Sequence, residues 1–470
     1  MNYGRQTDPA CCYALRELVV RALVIAGFIW AGGASAREHL AFPGAEGFGR
    51  FATGGRGGDV YAVRTLEDSG PGSLREGIAS AKGPRTIIFR ISGTILLKSK
   101  LLLNKSAITI AGQTAPGDGI TLRDYTFQIK NATNIIVRYL RLRLGDQNKP
   151  KGARGGDDTF NTEDMDRAIV DHCSLSWAID GTHDLRRGGN FTMQWSIISE
   201  SLNNSLHNKG AHAMGASYRN PSGNISLHHN LYSTCRDRHP SLGSQDEPPQ
   251  YIVDFRNNID YNWSNPGTAN FCDSFINCIS NLWRPGPMTD PARLPIAMKG
   301  SQPEMAKGHM EGNVFEGRDD LTRDNYAALD FHRWLNAGSN YRYRGSVADW
   351  KVAQAAALGA DAPQTQSTTE AAELVLAHAG ASLHRDAVDQ RVIANVRQRE
   401  GRVIDSQAEV GGWPTLRSAP APVDSDHDGM PDAWEKAHGL NPNDPADCNA
   451  ARDSDGYTNL EEYLNSLCAP

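Results

Sequence analysis

The sequence predicts an all-β fold, a right-handed parallel β-helix, from three observations. The middle of the chain is a succession of short, β-branched segments, each is bounded by Gly, Asn, Asp or Ser, and long amphipathic helices are absent there. Thr86–Ile91, Ile108–Ala111, Thr126–Ile129 and Ile135–Leu144 read as strands, followed by Ala168–Val170, Phe191–Ile198, Ile225–His228 and Tyr251–Phe255. Several begin after an asparagine (Asn134, Asn190, Asn224), a lead-in recurring on the scale of roughly 20 to 35 residues where repeats form solenoids. One coil of such a column cannot bury its apolar side alone. Stacking does so, with side chains alternating in and out along each strand. An antiparallel sandwich is the competing architecture; uneven strand spacing and the lack of a dominant two-residue hairpin signal count against it.

At 470 residues the chain is long enough for two or three units. It is 39% hydrophobic and 22% charged, as folded soluble proteins are, and a net charge of -6 argues against nucleic acid as a partner, since phosphate asks for a basic surface. Residues 1–36 read as an export signal. Arg16 and Arg21 precede the apolar run Ala22–Trp30, and Ala34, Ser35 and Ala36 are the small residues a signal peptidase reads. An N-terminal anchor helix is the alternative, although that run is short for a bilayer, and no other run is long enough to cross one. The expectation is a secreted monomer (extracellular, periplasmic or cell-surface) with no membrane partner after signal removal. Export would place Cys173, Cys235, Cys272, Cys278, Cys448 and Cys468 where disulfides persist, with Cys448–Cys468 and Cys272–Cys278 as candidate pairs.

The expected organisation is a signal over 1–36, a β-helix over 37–345, a helical extension and linker over 346–420, and a small EF-hand-like calcium module over 421–470. Val347–Leu358 is Ala-rich and can be helical, Thr369–Ala379 and Arg385–Gln398 read as helices, and Val410–Val423 has a linker's Pro and Gly content. Asp424, Asp426, Asp428, Asp432 and Glu435 occupy positions 1, 3, 5, 9 and 12 of a twelve-residue calcium loop. Gly429 sits at the sharp turn, and Met430 offers a backbone carbonyl. A second loop carries Asp453, Asp455, Gly456, Tyr457, Asn459 and Glu462 at positions 3, 5, 6, 7, 9 and 12, but Ala451 at position 1, so that it binds weakly or borrows a group such as Asn449. The pair resembles the calcium repeats of thrombospondin type 3 and dockerin-like tails, which implies a structural or anchoring role.

The chemistry-bearing region lies between Gly155 and Asp184, where Asp157, Asp158, Asp171, Asp180 and Asp184 accumulate. On stacked coils, distant residues can share one outer face, and a group of carboxylates there calls for a cation; all-oxygen ligands suit calcium. The stretch Val170–Ser174 is similar to the WIDH signature of polysaccharide lyase family 1, the pectate lyases. The same family's calcium pattern D-G-x-x-D matches Asp180–Asp184, and its D-x-x-N matches Asp158–Asn161, with Asp157 a close rival. Asn208 and Lys209 match its N-x-K segment, and His228, His229 and Asn230 lead to Arg238, His239 and Pro240 as in its HHN…R-x-P-x-x-R element. Ala41–Gly49, Gly54–Gly58 and Ile110–Gly117 also resemble this family, and the likeness runs from about Ala41 to Trp263, more weakly to about Tyr343.

The resemblance implies a calcium-dependent pectate lyase acting on 1,4-linked galacturonan, with Asp158, Asp180 and Asp184 on Ca²⁺, Arg238 as the base and Lys209 assisting. The second Arg of the family element is missing, with Gly243 in its place; Arg236, His239 and Arg256 are the nearby candidates to compensate. Elimination removes a proton next to a carboxylate, which is weakly acidic until a cation withdraws that charge. An arginine base needs its neutral form, which desolvation and nearby positive charge favour. His172, His228 and His229 read as stacked structural residues. A polygalacturonate hydrolase using Asp157 and Asp158 and a non-catalytic carbohydrate-binding β-helix are the alternatives; the first leaves Lys209 and Arg238 without a role, and the lost second Arg is what favours the second.

Overall fold

The computed structural model describes residues 39–148, 156–243, 251–264, 269–271, 274–299, 306–332, 345–451 and 454–468. The export signal read over 1–36, Cys272 and Asp453 lie outside these residues. Strands from Asp59 to Asp330 form three parallel sheets of ten, nine and nine strands among the described residues. After a first pairing of consecutive strands, Asp59–Val63 with Arg85–Phe89, strands three apart in the chain pair with one another, so the backbone visits each sheet once per coil, as in the expected right-handed parallel β-helix. Sheet 1 includes Arg85–Phe89, Thr133–Arg138, Asp166–Asp171, Gly189–Gln194 and Ile225–His228; sheet 2 includes Leu140–Arg143, Ser174–Ser176 and Ile197–Ser199; sheet 3 includes Phe160–Glu163, Gly181–Arg186, Met214–Arg219 and Ser241–Leu242.

Two long sequence-read strands are bent. Ile135–Leu144 divides into Thr133–Arg138 and Leu140–Arg143 around Tyr139, and Phe191–Ile198 divides into Gly189–Gln194 and Ile197–Ser199 around Trp195. Tyr139 and Trp195 have φ of 55° and 50°, and this left-handed step turns the chain from sheet 1 to sheet 2. His172 and His229 occupy the same corner with φ of 51° and 55°; His172 lies 4.8 Å from Tyr139 and His229 lies 4.2 Å from Trp195, centroid to centroid, so stacked rings hold the corner. Asn134 and Asn190, two of the recurring lead-in asparagines, also have positive φ (57° and 48°), which Asn tolerates better than most residues.

The interior is one apolar column that includes Ile110, Val137, Val170, Met193, Leu227 and Phe255. Along its edge Asn230, Asn258, Asn281, Asn313 and Asn325 form a ladder. Each of the first four donates its backbone N–H to the next asparagine's Oδ1, at 2.9–3.0 Å. The ladder satisfies buried backbone groups at a turn that no sheet pairs.

The C-terminal extension wraps this column. Val347–Leu358 is helical only over Val347–Trp350. Trp350 is fully buried against Gly308, Phe271 and Tyr326 at the end of the column, and beyond it the chain follows the coil edges, with Ala356 donating to Asn277 and Gln366 to Asn257. Helices Thr368–His378 and Ala387–Gln398 then lay Ala372, Val375, Leu376, Val392 and Val396 on the outer face of sheet 2, against Ile197, Leu231, Ile259 and Leu282. Asp386 caps the second helix and, with Asp389, meets the buried Arg143 at 2.8 and 2.9 Å. The last segment packs Met430, Cys448, Leu460, Tyr463 and Leu464 onto Ile88 and Ala111, on the outer face of sheet 1. Sheets 1 and 2 are thereby overlaid, while sheet 3 carries the acidic group described next.

The expected cysteine pairs are corrected: Cys278, Cys448 and Cys468 are free thiols. Cys448 faces the apolar seam under the tail, whereas Cys468 lies just past the last helix, Asn459–Ser466, beside Tyr139.

Candidate functional site

On sheet 3, Asn161 stands opposite Asp184, and Asp184 in turn opposite Ser217; two positions further on, Arg186 faces Arg219. The alternation of a strand puts Leu185 and Tyr218 in the core and Asp184, Ser217 and Arg219 on the outer face. Asp158 leads into the first of these strands and Asp180 into the second. Asp158 accepts the Gly181 N–H at 2.9 Å and the Asn161 amide at 3.0 Å. Burial, together with the charges of Asp184 and Asp180, pushes its carboxyl well up. Asp157 contributes its backbone carbonyl, to Ile179 and Asp180 at 3.1 Å.

Gly181 lies between two of the carboxylates. A Cβ there would sit 3.1 Å from both Asp158 Oδ1 and Asp184 Oδ1, so the missing side chain leaves the space where the two acids face each other. Asp184 Oδ1 is buried without a hydrogen-bond partner, and Oδ2 lies 2.6 Å from Arg219 Nη2. A buried unpartnered carboxylate oxygen beside a second carboxylate fits a hard cation with oxygen ligands, so this donor set fits calcium.

Asp180 closes the group. Its Oδ1 lies 2.8 Å from His212 Nε2 and 4.0 Å from Arg238 Nη1, and its Oδ2 lies 3.6 Å from His207 Nε2. Burial works to raise its pKa, but His212, Arg238 and His207 outweigh burial and hold it at about 2. His207 and His212 stack at 3.8 Å on the loop 200–213 that carries Lys209, whose side chain is exposed.

Arg238 is positioned by its backbone. It has φ of 63°, donates its N–H to Asp237 Oδ1 at 2.7 Å, and gives its carbonyl to Ala216 at 2.7 Å. A Cβ on Gly215 would lie 2.3 Å from that carbonyl, so only glycine admits the approach. The Arg238 guanidinium reaches Ser217 Oγ at 3.4 Å. Behind it His239, joined to Pro240 by a cis peptide, is buried between Asp260 (2.8 Å) and the Cys235 carbonyl (2.9 Å).

The structure therefore gathers Asp158, Asp180, Asp184 and Arg238 on one flank and puts Lys209 on the adjoining loop. Of the three candidates to replace the missing second arginine, His239 is sealed in the core and Arg256 pairs with Asp254 on sheet 1 at 2.5 Å, while Arg236 gives Nη1 to the Ala211 carbonyl at 3.2 Å. Arg219, His207 and His212 escaped the sequence reading. A register argument would have found Arg219, which lies two residues past Ser217 on the coil next to Asp184. The Asp171–His172 signature lies elsewhere, on sheet 1, where Asp171 pairs with Arg138 at 2.8 Å and with His172 at 2.8 Å. It lines a cavity of about 650 Å³ together with Trp195, Tyr457 and Glu462, apart from the acidic group.

In the tail, Asp424, Asp426, Asp428 and Glu435 turn carboxylate oxygens inward. Asp432 does not join them, because its oxygens accept from the Ser425 N–H and Oγ, both at 2.8 Å. Asn449, a candidate ligand of the second loop, instead gives its amide to the Gly58 carbonyl at 3.0 Å.

No family model matches the chain. A protein of Aspergillus fumigatus described as "Probable pectate lyase C" is 35% identical over 435 residues, covering 91% of this chain and 94% of its own. One of the same description from Emericella nidulans is 36% identical over 431 residues, covering 91% and 93%. Among solved structures, a pectate lyase from Bacillus sp. N165 in complex with trigalacturonate aligns over 71% of this chain and 98% of its own, with 17% identity and a TM-score of 0.47.

Proposed function

The chain belongs to the pectate lyase family, and from that premise we propose that it is a secreted enzyme that cleaves 1,4-linked galacturonan by β-elimination at the carboxylate flank of sheet 3. The observation that supports this most directly is the space above Gly181, bordered by Asp158 and Asp184, with Arg238 4.0 Å from Asp180. In this reading Asp158, Asp180 and Asp184 hold Ca²⁺. When bound, the ion draws charge from a uronate carboxylate and makes the neighbouring proton removable.

The chain's own residues do the rest. Asp180 and the Asp237-anchored turn aim the Arg238 guanidine at the flank, and Arg238 takes the proton alpha to the carboxylate. The electron pair of that C–H bond becomes the new double bond, and the bond to the leaving glycosidic oxygen breaks; solvent protonates that oxygen. Lys209, exposed on its loop, adds positive charge where further negative charge builds on the carboxylate. Arg219 holds Asp184 in its orientation and supplies the positive charge that Gly243 cannot.

Ultraviolet absorbance of the unsaturated product, measured on polygalacturonate with and without a calcium chelator, tests the reading. Calcium-dependent absorbance, reduced about 10²- to 10⁴-fold in Arg238→Ala and lowered in Lys209→Ala, is expected. New reducing ends without absorbance would instead identify a hydrolase, and unchanged turnover in both variants would remove the site assignment.

A further inference from the structure

The twelve-residue loop of the tail closes on a carboxylate that lies outside it. Ligand atoms of Asp424, Asp426 and Asp428 lie within 4.8 Å of one another, and those of Asp428, Glu435 and Asp447 likewise. Asp447 belongs to the turn Asp447–Asn449, beyond the helix Asp432–His438 in which the loop ends. The aspartates share one division of labour. One oxygen of each is tied down: Asp424 Oδ2 to Arg90, Asp426 Oδ1 to the Asp428 N–H, Asp428 Oδ1 to the Met430 N–H, Asp447 Oδ2 to the Asn441 N–H. The other oxygen of each is buried with no hydrogen-bond partner, as are both oxygens of Glu435. Glu435 is 0% exposed, Asp428 3% and Asp424 5%. Carboxylates so enclosed are costly without a counter-charge.

The same loop presses on the β-helix. A Cβ on Gly429 would lie 3.0 Å from Val60 and 3.4 Å from Ile88, and Met430 is fully buried in the seam with Ile88 and Ala111. Arg90, at the end of the sheet 1 strand Arg85–Phe89, holds both Asp424 and the Pro422 carbonyl.

We propose that Asp424, Asp426, Asp428, Glu435 and Asp447 form a calcium site, with Asp447 in the set and Asp432 outside it, and that the ion clamps the tail onto the first coils of the β-helix. Oxygen-only ligands in this number select a hard cation, and calcium tolerates their irregular geometry better than magnesium does. The clamp works because the loop that wraps the ion is the loop whose next residues fill the seam. With the ion, Asp424 and Met430 are held as one surface against Arg90 and Ile88; without it, repulsion among the acids opens that surface. This site is separate from the sheet 3 flank, and its test does not depend on turnover.

The experiment uses the full chain carrying Asp184→Asn, so that the sheet 3 site contributes little to calcium binding. Calorimetric titration with Ca²⁺, thermal unfolding and limited proteolysis of the 411–423 linker are compared for that background and for added Asp447→Asn, Glu435→Gln or Asp432→Asn. Expected are calcium binding that raises Tm and protects the linker, a loss of about 100-fold or more in affinity in Asp447→Asn and Glu435→Gln, and retained affinity in Asp432→Asn. Glu435→Gln should also raise Tm in chelator, since it removes one of the repelling charges, and this shows the variant is folded. Retained binding in Asp447→Asn with loss in Asp432→Asn would overturn the ligand set. Calcium binding that leaves linker cleavage unchanged would overturn the clamp.

Discussion

Arg219 Nη2 lies 2.6 Å from Asp184 Oδ2, and the two residues come from neighbouring coils of sheet 3. The pair puts one positive charge among three carboxylates. Breaking it should cost more without calcium than with it, because the ion and the guanidinium oppose the same repulsion. Arg219→Ala is expected to lose about 1–2 kcal/mol of stability in chelator and less in calcium, measured by urea unfolding under both conditions. An equal loss in both would separate Arg219 from the metal flank.

Gly181 has no steric need of a positive φ, so alanine there tests the space itself. Gly181→Ala places a methyl 3.1 Å from two carboxylate oxygens. The calcium concentration needed for half-maximal activity should rise about 10- to 100-fold with little change in Tm. Unchanged calcium dependence would show that the ion does not sit between Asp158 and Asp184.

Calcium, and not a softer metal, should restore activity after chelation. The alternative is physical: Asp180, His207 and His212 have ligand atoms within 4.8 Å of one another, a set suited to zinc or nickel. Reactivation assays with Ca²⁺, Zn²⁺ and Ni²⁺ decide between them, and reactivation by zinc or nickel alone would move the ion from Asp184 to the histidines.

The turn that carries Arg238 rests on His239. Burial works against charge on this imidazole, but the Asp260 carboxylate and, after it, the Cys235 side chain outweigh it and lift His239 to about 10; burial lifts Asp260 to about 6, with His239 opposing. A raised His contributes stability that is complete below its unfolded value of about 6.5 and is lost as pH rises through about 10. Asp260, also raised, acts in the same direction lower down, between its unfolded value of about 3.9 and about 6. Tm should therefore fall between about pH 7 and pH 10, and His239→Gln should flatten that slope. A slope unchanged by the substitution would show that His239 is neutral in the fold.

In the asparagine ladder, Asn258 accepts from Asn230 at 2.9 Å and donates to the Leu227 carbonyl at 2.9 Å and to Asn281 at 3.0 Å. Asn258→Ala leaves several buried groups without partners and should cost about 3 kcal/mol in equilibrium denaturation. A cost below about 1 kcal/mol would mean that water or a backbone shift replaces the rung.

The parallel column was legible because alternation is a local property: Ile108–Ala111 is the strand the sequence outlines, residue for residue. Helix Ala387–Gln398 was legible within two residues for the same reason, and the structure makes Asp386 its cap. The corners were not, since nothing local distinguishes Tyr139 or Trp195 from the strand residues beside them; their left-handed turn is held by rings stacked from other coils. Val347–Leu358 looked helical on alanine content, but burying Trp350 at the column's end and pairing the following backbone with coil edges prevailed over propensity.

By itself the sequence determined the repeat, the polar breaks between strands, the motif that holds Arg238 and, Asp447 apart, the acids of both candidate metal sites. Only the tertiary structure decided which of these meet. Coil register brought Arg219 to Asp184, a loop brought His212 to Asp180, and a distant turn brought Asp447 to Glu435 while Ser425 drew Asp432 away. The physical reason is that alternation and turn chemistry act within a few residues of one another, whereas a site is made by neighbours in space, and in a solenoid those neighbours are set by register between coils.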